Sequence, residues 1–213
     1  MDKTPKLPVW DSEERAAARS QWQSVTSDTV FQNPWIHVES HDVIAPTGNP
    51  AHYGLVKFTN RAIAVLPLHD DGTVSLVGQA RFAVDAYSWE LPEGGGPLDE
   101  DPRAAAIREL KEETGLEAAH LHEILSFDVS NSVTNEVAFC FLATGLSQSD
   151  RAPDETEAFD YARVPFKVLL DAVIKGQVRD GLTVVSVLRV HHMAVTGELL
   201  PHLRDAILGQ NFI

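Results

Sequence analysis

Three glutamates, Glu109, Glu112 and Glu113, stand at positions i, i+3 and i+4 of one short segment. On a helix this spacing places all three carboxylates on one face, while Ile107 and Leu110 point largely away into a core. Like charges at this spacing destabilise an isolated helix by roughly a few tenths of a kcal/mol per pair. A divalent cation would offset the repulsion, because Mg²⁺ prefers hard oxygen ligands. Taken alone, such a face is more typical of a solvated surface.

The element that must hold these acids is a helix predicted over residues 101–114. Pro102 suits its first turn, three alanines follow, and Gly115 stands where a left-handed C-terminal cap is favoured. The glycine run 94–96 just before the helix allows the backbone to pass close to a metal or to phosphates. The segment therefore predicts an acidic helix preceded by a glycine-rich stretch of backbone.

The rest of the chain alternates short extended segments with two further helices. Turn residues such as Asp71-Gly72, which predicts a hairpin, separate these segments. Strands first, then a helix, then strands and helices again predict an α/β (α+β) fold with a mixed sheet between helices. A capped helix is predicted at 11–18. The strands are predicted at 29–31, 35–43, 53–58, 62–68, 73–78, 123–129, 137–143 and 159–164, and the later helices at 166–175 and 181–193.

The composition limits the classes of partner. The chain has 17 basic and 31 acidic residues, a net charge of −14, which disfavours nucleic acid but permits a small phosphorylated substrate if some acids hold Mg²⁺. No apolar run is long enough to cross a membrane, and the first residues lack the apolar core of a signal peptide, so a cytoplasmic location is expected. The one cysteine, Cys140, excludes an internal disulfide and is expected on a buried strand.

The whole segment 94–116 resembles the Nudix box. That pattern is Gly, five residues, Glu, seven residues, then Arg-Glu-aliphatic-any-Glu-Glu-any-Gly-aliphatic. Every fixed position is satisfied in this chain, by Gly94, Glu100, Arg108, Glu109, Leu110, Glu112, Glu113, Gly115 and Leu116. The resemblance implies a Nudix fold and hydrolysis of a diphosphate linkage with bound Mg²⁺, for which Mn²⁺ is a possible substitute.

Carried over residue by residue, the resemblance implies roles within the box. Glu109, Glu112 and Glu113 correspond to metal ligands, and Glu109 and Glu113 count among the catalytic residues. Arg108 corresponds to a supporting residue that holds carboxylates in place by ion pairing. Glu100 corresponds to a more peripheral acid.

Residues upstream of the box are similar to those of ADP-ribose and other nucleotide-sugar pyrophosphatases. Gln79-Ala80-Arg81 and Trp89-Glu90-Leu91-Pro92-Glu93-Gly94 match the Gln-x-Arg and Trp-Glu-Leu-Pro-Ala-Gly stretches of those enzymes. The match implies that Arg81 and Glu90 bind substrate and that the backbone carbonyl of residue 93 binds a metal. This chain has Glu93 where alanine is usual.

Residues downstream of the box suggest further acids. Glu155 corresponds to the catalytic base and Glu157 to an extra metal ligand, although a solvated acidic loop remains the alternative. Glu136 is a candidate substrate-binding residue, and a strand-edge acid is the alternative. The segment 130–136 lacks the proline of typical ADP-ribose enzymes, so GDP-mannose and UDP-sugars stay open as substrates.

The sequence predicts a two-part organisation. Residues 1–60 form a helix and an antiparallel β extension of the kind through which such enzymes dimerise, and residues 61–213 form the Nudix domain. The predicted reaction splits the pyrophosphate of a nucleoside diphosphate sugar into a nucleoside monophosphate and a sugar phosphate, in a homodimer. The alternatives are hydrolysis of dinucleoside polyphosphates or nucleoside triphosphates, and a non-catalytic nucleotide-sugar sensor.

Overall fold

The computed structural model describes residue 10, residues 21–149 and residues 160–209. The chain divides into two compact units, Met1–Lys57 and Phe58–Ile213. The helix predicted at 11–18 lies outside the described residues. No helix in the described parts of the chain is both long enough and apolar enough to span a bilayer.

The N-terminal unit is a three-stranded sheet in chain order. It contains β1 (Gln23–Gln32), β2 (Ile36–Ile44) and β3 (Pro50–Phe58), and β1 and β2 pair antiparallel. At the turn between them the side chain of Asn33 accepts hydrogen bonds from the backbone N–H groups of Trp35 and Ile36. Every residue of β1 is exposed. The predicted segments at 29–31 and 53–58 are thus parts of longer strands, and the predicted strand at 35–43 is displaced from β2 by one residue.

The second unit contains two sheets. One is β10-β5-β6, and the other is β7-β4-β9-β8, in which β4 and β9 run parallel and the remaining neighbours antiparallel. Four helices complete the described part of the unit, so the predicted mixed sheet with helices is confirmed. The elements are β4 (Asn60–Pro67), β5 (Thr73–Arg81), β6 (Ala86–Glu90), β7 (Glu93–Pro97), α1 (Pro102–Thr114), β8 (Leu116–Asp128), β9 (Val137–Gln148), β10 (Asp160–Pro165), α2 (Phe166–Ile174), α3 (Gly181–Thr196) and α4 (Pro201–Leu208).

The central strand β4 is buried on both faces. Successive side chains of a strand point to opposite faces, so Ile63 and Val65 pack with Leu110 of α1, while Ala64 and Leu66 pack with Val187 of α3. The strand β9 repeats this alternation beside it, with Phe141 and Ala143 towards α1, and Cys140 and Leu142 towards α3. Helices therefore cover both faces of this sheet.

The ends of α1 follow the sequence pattern closely. The Asp101 side chain accepts a hydrogen bond from the Arg103 N–H, and Gly115 adopts a left-handed conformation with φ of 68°. Leu110 is buried as expected, but Ile107 is 51% exposed, so the prediction that it joins the core is wrong. Ala106 and Ala105 fill the core beside Leu110 instead.

We expect Asp101→Ala to destabilise the second unit by about 1 kcal/mol. The substitution removes the side-chain acceptor for the Arg103 N–H, which has no partner inside the helix at this first turn. Urea unfolding followed by circular dichroism measures the change. Asp101→Asn is the matched control, because asparagine also caps helices, and an equal loss in both variants would contradict a capping role.

Several elements were not predicted. The glycine run 94–96 belongs to β7, which pairs with β4, and the strand β6 lies just before it. The strand β8 begins at Leu116, directly after the α1 cap, and α4 was also missed. The hairpin at Asp71-Gly72 is confirmed, with Gly72 at φ 78° and an antiparallel bridge between Leu68 and Val74.

Candidate active site

Two glutamates of α1 are buried against β7. Glu113 is 2% exposed, and its Oε2 accepts a hydrogen bond of 3.0 Å from the Glu93 N–H. Glu109 is 7% exposed and lies so close to Gly94 that a Cβ there would stand 2.3 Å from the Glu109 Cδ. Because Gly94 has no side chain, the Glu109 carboxylate can lie close to the backbone of β7, which explains the glycine at this position of the box.

Arg108 connects the acids of the box to the strand. Its Nη1 donates to Glu109 Oε1 at 2.7 Å and to Glu112 Oε2 at 3.1 Å. Its Nη2 donates to the Gly95 carbonyl at 2.9 Å and to Glu100 Oε2 at 3.2 Å. Although burial opposes the charge, these acidic partners raise the pKa of Arg108 above its usual range. A planar guanidinium can make all four contacts at once, so it fixes the acids relative to β7.

The donor set on this helix face fits a divalent cation. Glu109 and Glu113 are buried carboxylates that converge on β7, and Glu112 is one turn away with a side chain that is 37% exposed. Hard oxygen donors of this kind suit Mg²⁺ and Mn²⁺. Within the described residues, the three carboxylates of α1 do not form a preassembled cluster of ligand atoms, and Glu109 and Glu112 both bond to Nη1 of Arg108.

We expect Arg108→Lys to raise the Mg²⁺ concentration needed for half-maximal activity by about 10- to 100-fold. Lysine keeps the charge but cannot bond Gly95 O and the glutamates together. Metal titration of the hydrolysis rate measures the effect. Arg204→Lys on α4, where the arginine pairs with Asp205, is the control. Unchanged metal dependence in Arg108→Lys would contradict the positioning role.

A second acidic group lies on the other side of the Glu93 backbone. Arg81 donates to Glu90 from Nε at 2.9 Å and from Nη2 at 2.6 Å, and it also pairs with Glu93. Asp180, which caps α3 by accepting from the Thr183 N–H, joins this group. Ligand oxygens of Glu90, Glu93 and Asp180 lie within 4.8 Å of one another.

The side chain of Glu93 is electrostatically strained. Burial raises the pKa of Glu93 well above its usual range, and the negative charges of Asp180 and Glu90 act in the same direction, whereas Arg81 opposes the rise. Its Oε2 atom is buried, and a side-chain hydrogen bond with Asp180 also raises the pKa of the carboxyl group. Burying a charged carboxylate is costly, so these surroundings favour the neutral form of Glu93.

A cavity of about 810 Å³ lies beside this second group. Arg81, Glu90, Glu93 and Asp180 form its polar end. The other walls come from β5, β6, β10, α2 and the segment before α3. The apolar lining consists mainly of Leu76, Val84, Tyr87, Trp89, Val164, Val168, Leu169, Ala172 and Val178.

Three predicted site residues, Glu136, Glu155 and Glu157, are not among the residues that line the cavity or bind Arg108 in the described structure. Glu136 is partly buried just before β9, where burial raises its pKa, and it does not line the cavity. Glu155 and Glu157 lie outside the described residues. The structure thus joins Arg81, Glu90 and Glu93 on one side and Glu109 and Glu113 with Arg108 on the other, with the Glu93 N–H as the link.

Comparison with known protein families decides the classification. The NUDIX domain matches residues 58–181, more than half of the chain. The chain belongs to the Nudix family. Residues 22–56 match the nucleoside diphosphate sugar hydrolase N-terminal domain, which precedes the Nudix domain here. The predicted family and fold are confirmed, and with them the class of Nudix pyrophosphohydrolase.

Individual relatives cover most of the chain. The "Methanol dehydrogenase activator" of Bacillus methanolicus is 28% identical over 78% of this chain and 90% of its own length. The "ADP-ribose pyrophosphatase" of Bacillus subtilis is 30% identical over the same shares. A crystal structure of an "ADP compounds hydrolase" superposes with a TM-score of 0.76 at 21% identity, covering 85% of this chain and 99% of that one, which supports the Nudix fold.

Asp180 was missed in the sequence. The pattern Asp180-Gly181 before an apolar helix predicts a cap, and this cap is present. Its position beside Glu90 and Glu93 depends on how α3 packs across the sheet. Only the unusual Glu93 gave a signal that the neighbourhood differs from that of related enzymes.

Proposed function

We propose that this Nudix pyrophosphohydrolase cleaves the pyrophosphate bond of a nucleoside diphosphate sugar, giving a nucleoside monophosphate and a sugar phosphate. The observation that supports it most is the hydrogen bond from the Glu93 N–H to Glu113. It joins the acidic helix to the segment that carries Arg81 and Glu90. A diphosphate at the helix would therefore extend towards Arg81 and Glu90. The name of the Bacillus subtilis relative, ADP-ribose pyrophosphatase, agrees with this substrate class.

In the proposed site, Glu109, Glu112 and Glu113 together with the carbonyl of Glu93 would hold divalent cations. When bound, such a cation neutralises phosphate charge and lowers the barrier to attack by water. Arg108 keeps Glu109 and Glu112 in place, and Arg81, itself oriented by Glu90, binds the diphosphate through its remaining donors. Glu136 is the third proposed substrate contact.

The hydrolytic step transfers one proton. The oxygen of water forms a bond to phosphorus, the bridging P–O bond breaks, and Glu155 accepts the proton of the water. Glu157 supplies an additional metal ligand. Both assignments rest on the sequence resemblance.

We propose Mg²⁺ as the physiological cation, a cytoplasmic location, and a homodimer formed through the N-terminal sheet. The fully exposed strand β1 supports the dimer, since it carries Val25, Val30 and Phe31 at 63%, 64% and 53% exposure. Exposed apolar side chains are common at association surfaces. Sedimentation velocity would detect the dimer.

Hydrolysis of a substrate panel tests the function. The purified chain is incubated with ADP-ribose, GDP-mannose, UDP-glucose, a dinucleoside polyphosphate and ATP, with and without Mg²⁺. We expect metal-dependent release of nucleoside monophosphate from a nucleotide sugar, with the highest kcat/KM in the panel. Incorporation of ¹⁸O from water identifies the attacked phosphorus. Faster cleavage of ATP or of the dinucleoside polyphosphate would refute the proposed substrate class.

A further inference from the structure

The turn that leads from β7 into α1 lies at the surface. Its first three residues, Pro97, Leu98 and Asp99, are exposed, and Leu98 is 54% exposed. The fourth residue, Glu100, donates its backbone N–H to the Pro97 carbonyl at 3.0 Å. Because these exposed side chains do not pack in the core, the position of the turn depends on hydrogen bonds rather than on packing.

Arg61 supplies two further hydrogen bonds to this turn. It is the second residue of β4 and is partly buried. Its Nη1 donates to the Pro97 carbonyl at 3.2 Å and to the Glu100 carbonyl at 3.1 Å. This nitrogen carries two N–H groups, so it can bond to both carbonyls at once. The central strand of the sheet thereby holds both ends of an exposed turn.

Glu100 connects the turn to the acids of the box. Its carboxylate accepts a hydrogen bond from Nη2 of Arg108 at 3.2 Å, and the same Nη2 donates to the Gly95 carbonyl at 2.9 Å. Gly95 lies opposite Ala62 where β7 pairs with β4. Both acceptors of Arg108 Nη2 thus belong to segments that β4 holds, one opposite Ala62 and the other bonded to Arg61.

We propose that Arg61, which lies outside the Nudix box, is a positioning residue for the metal ligands Glu109 and Glu112. Arg61 fixes the backbone of Glu100, and the Glu100 carboxylate orients Arg108. Nη1 of Arg108 in turn bonds to both ligands. The inference rests on the proposed function, because it takes Glu109 and Glu112 to bind the cation.

The positive charge of Arg61 and its hydrogen bonds have opposite effects on metal binding. A cation repels a nearby positive charge, so removal of the Arg61 charge alone would strengthen the binding of a divalent cation to the acidic helix. Loss of its hydrogen bonds would release the turn and the Glu100 carboxylate, and so weaken binding. The direction of the change in affinity therefore separates positioning from simple electrostatics.

Binding of Mn²⁺ to the substrate-free chain tests the inference, with the free ion measured by electron paramagnetic resonance. The sites compared are those that Glu109→Gln weakens. Groups that hold metal ligands are worth about 10- to 100-fold in affinity, and Arg61 acts through two further residues, so we expect Arg61→Met to weaken binding about 3- to 10-fold. Both bonds come from one nitrogen, so Arg61→Lys can replace them and should stay within about twofold of wild type. Equal or tighter binding in Arg61→Met would overturn the proposal.

A double-mutant cycle tests the path through Glu100. Glu100→Ala removes the carboxylate through which Arg61 is proposed to act. In that background Arg61→Met should change the Mn²⁺ affinity by less than about twofold, because coupled residues do not contribute additively. If the full loss caused by Arg61→Met remained in Glu100→Ala, Arg61 would not act through Glu100 and the proposal would be wrong.

Arg163→Met is the matched control. Arg163 also holds a turn outside the box, through hydrogen bonds to Thr73 and Asp71, so its loss should leave Mn²⁺ affinity unchanged. An equal weakening in Arg163→Met would show a general effect of a lost tether and overturn the specific role of Arg61. Urea unfolding establishes that each variant is folded. If Arg61→Met does not fold, Arg61→Gln, which is polar but shorter than arginine, replaces it with the same expected loss.

Hydrolysis assays separate this inference from the proposed function. If no nucleotide sugar is hydrolysed while Arg61→Met weakens Mn²⁺ binding, the proposed substrate class fails and the positioning role is supported. If nucleotide sugars are hydrolysed but wild type and Arg61→Met bind Mn²⁺ equally, the positioning role fails alone. A wild-type chain without a Mn²⁺ site that depends on Glu109 would overturn both.

Discussion

Glu113→Gln should lower kcat for the best nucleotide sugar by about 10³-fold. The side chain is 2% exposed on α1, and its Oε2 accepts the Glu93 N–H at 3.0 Å. Glutamine keeps the size of the side chain but loses the negative charge that a divalent cation requires. Steady-state kinetics at saturating Mg²⁺ measure the loss, and thermal unfolding checks that the fold is retained.

Glu117→Gln is the matched control for that substitution. Glu117 follows the box, pairs with Lys111 on the surface and is half exposed, so its replacement should leave kcat within about twofold. Wild-type activity in Glu113→Gln would remove Glu113 from the metal site. An equal loss in Glu117→Gln would indicate a general effect of surface charge.

Gly94→Ala should reduce kcat/KM by at least about 10²-fold with little change in substrate specificity. An alanine Cβ would stand 2.3 Å from the Cδ of Glu109 and 2.4 Å from both of its oxygens, so the carboxylate must move. Displacement of a catalytic group by about 1 Å is enough for a loss of this size. We also expect weaker Mg²⁺ activation, because Glu109 is a proposed ligand.

Gly54→Ala provides the control for the added methyl group. Gly54 lies in β3, where a Cβ would meet nothing within 4 Å, so the variant should retain full activity. Both variants are compared by Mg²⁺ titration and by urea unfolding. Wild-type metal dependence in Gly94→Ala would show that Glu109 does not depend on this close approach.

The catalytic helix was predictable because its signals are local. Asp101, Pro102 and Gly115 set its ends, and the structure places α1 at Pro102–Thr114. The exposure of Ile107 was not predictable from the helical period alone, since the face that a helix buries depends on the sheet against which it packs. Alanines at 105 and 106 allow α1 to approach β4 closely and so shift its buried face.

Long-range features of the site were harder to predict. The glycine run 94–96 contains no residue with high strand propensity, yet β7 forms because β4 offers it a neighbouring edge. The group of Glu90, Glu93 and Asp180 brings the end of β6 and the start of β7 next to the start of α3. Glu93 and Asp180 are 87 residues apart in the sequence. Neither spacing nor composition encodes that contact, which arises from packing across the sheet.

Cys140 illustrates a consequence of the doubly covered sheet. It is the one cysteine in the sequence, is 0% exposed on β9, and burial raises the pKa of its thiol to about 11. Alkylating reagents attack thiolates, so labelling requires β9 to open towards solvent. The rate of thiol modification under native conditions therefore measures how often β9 opens to solvent, and no cysteine has to be introduced for the measurement.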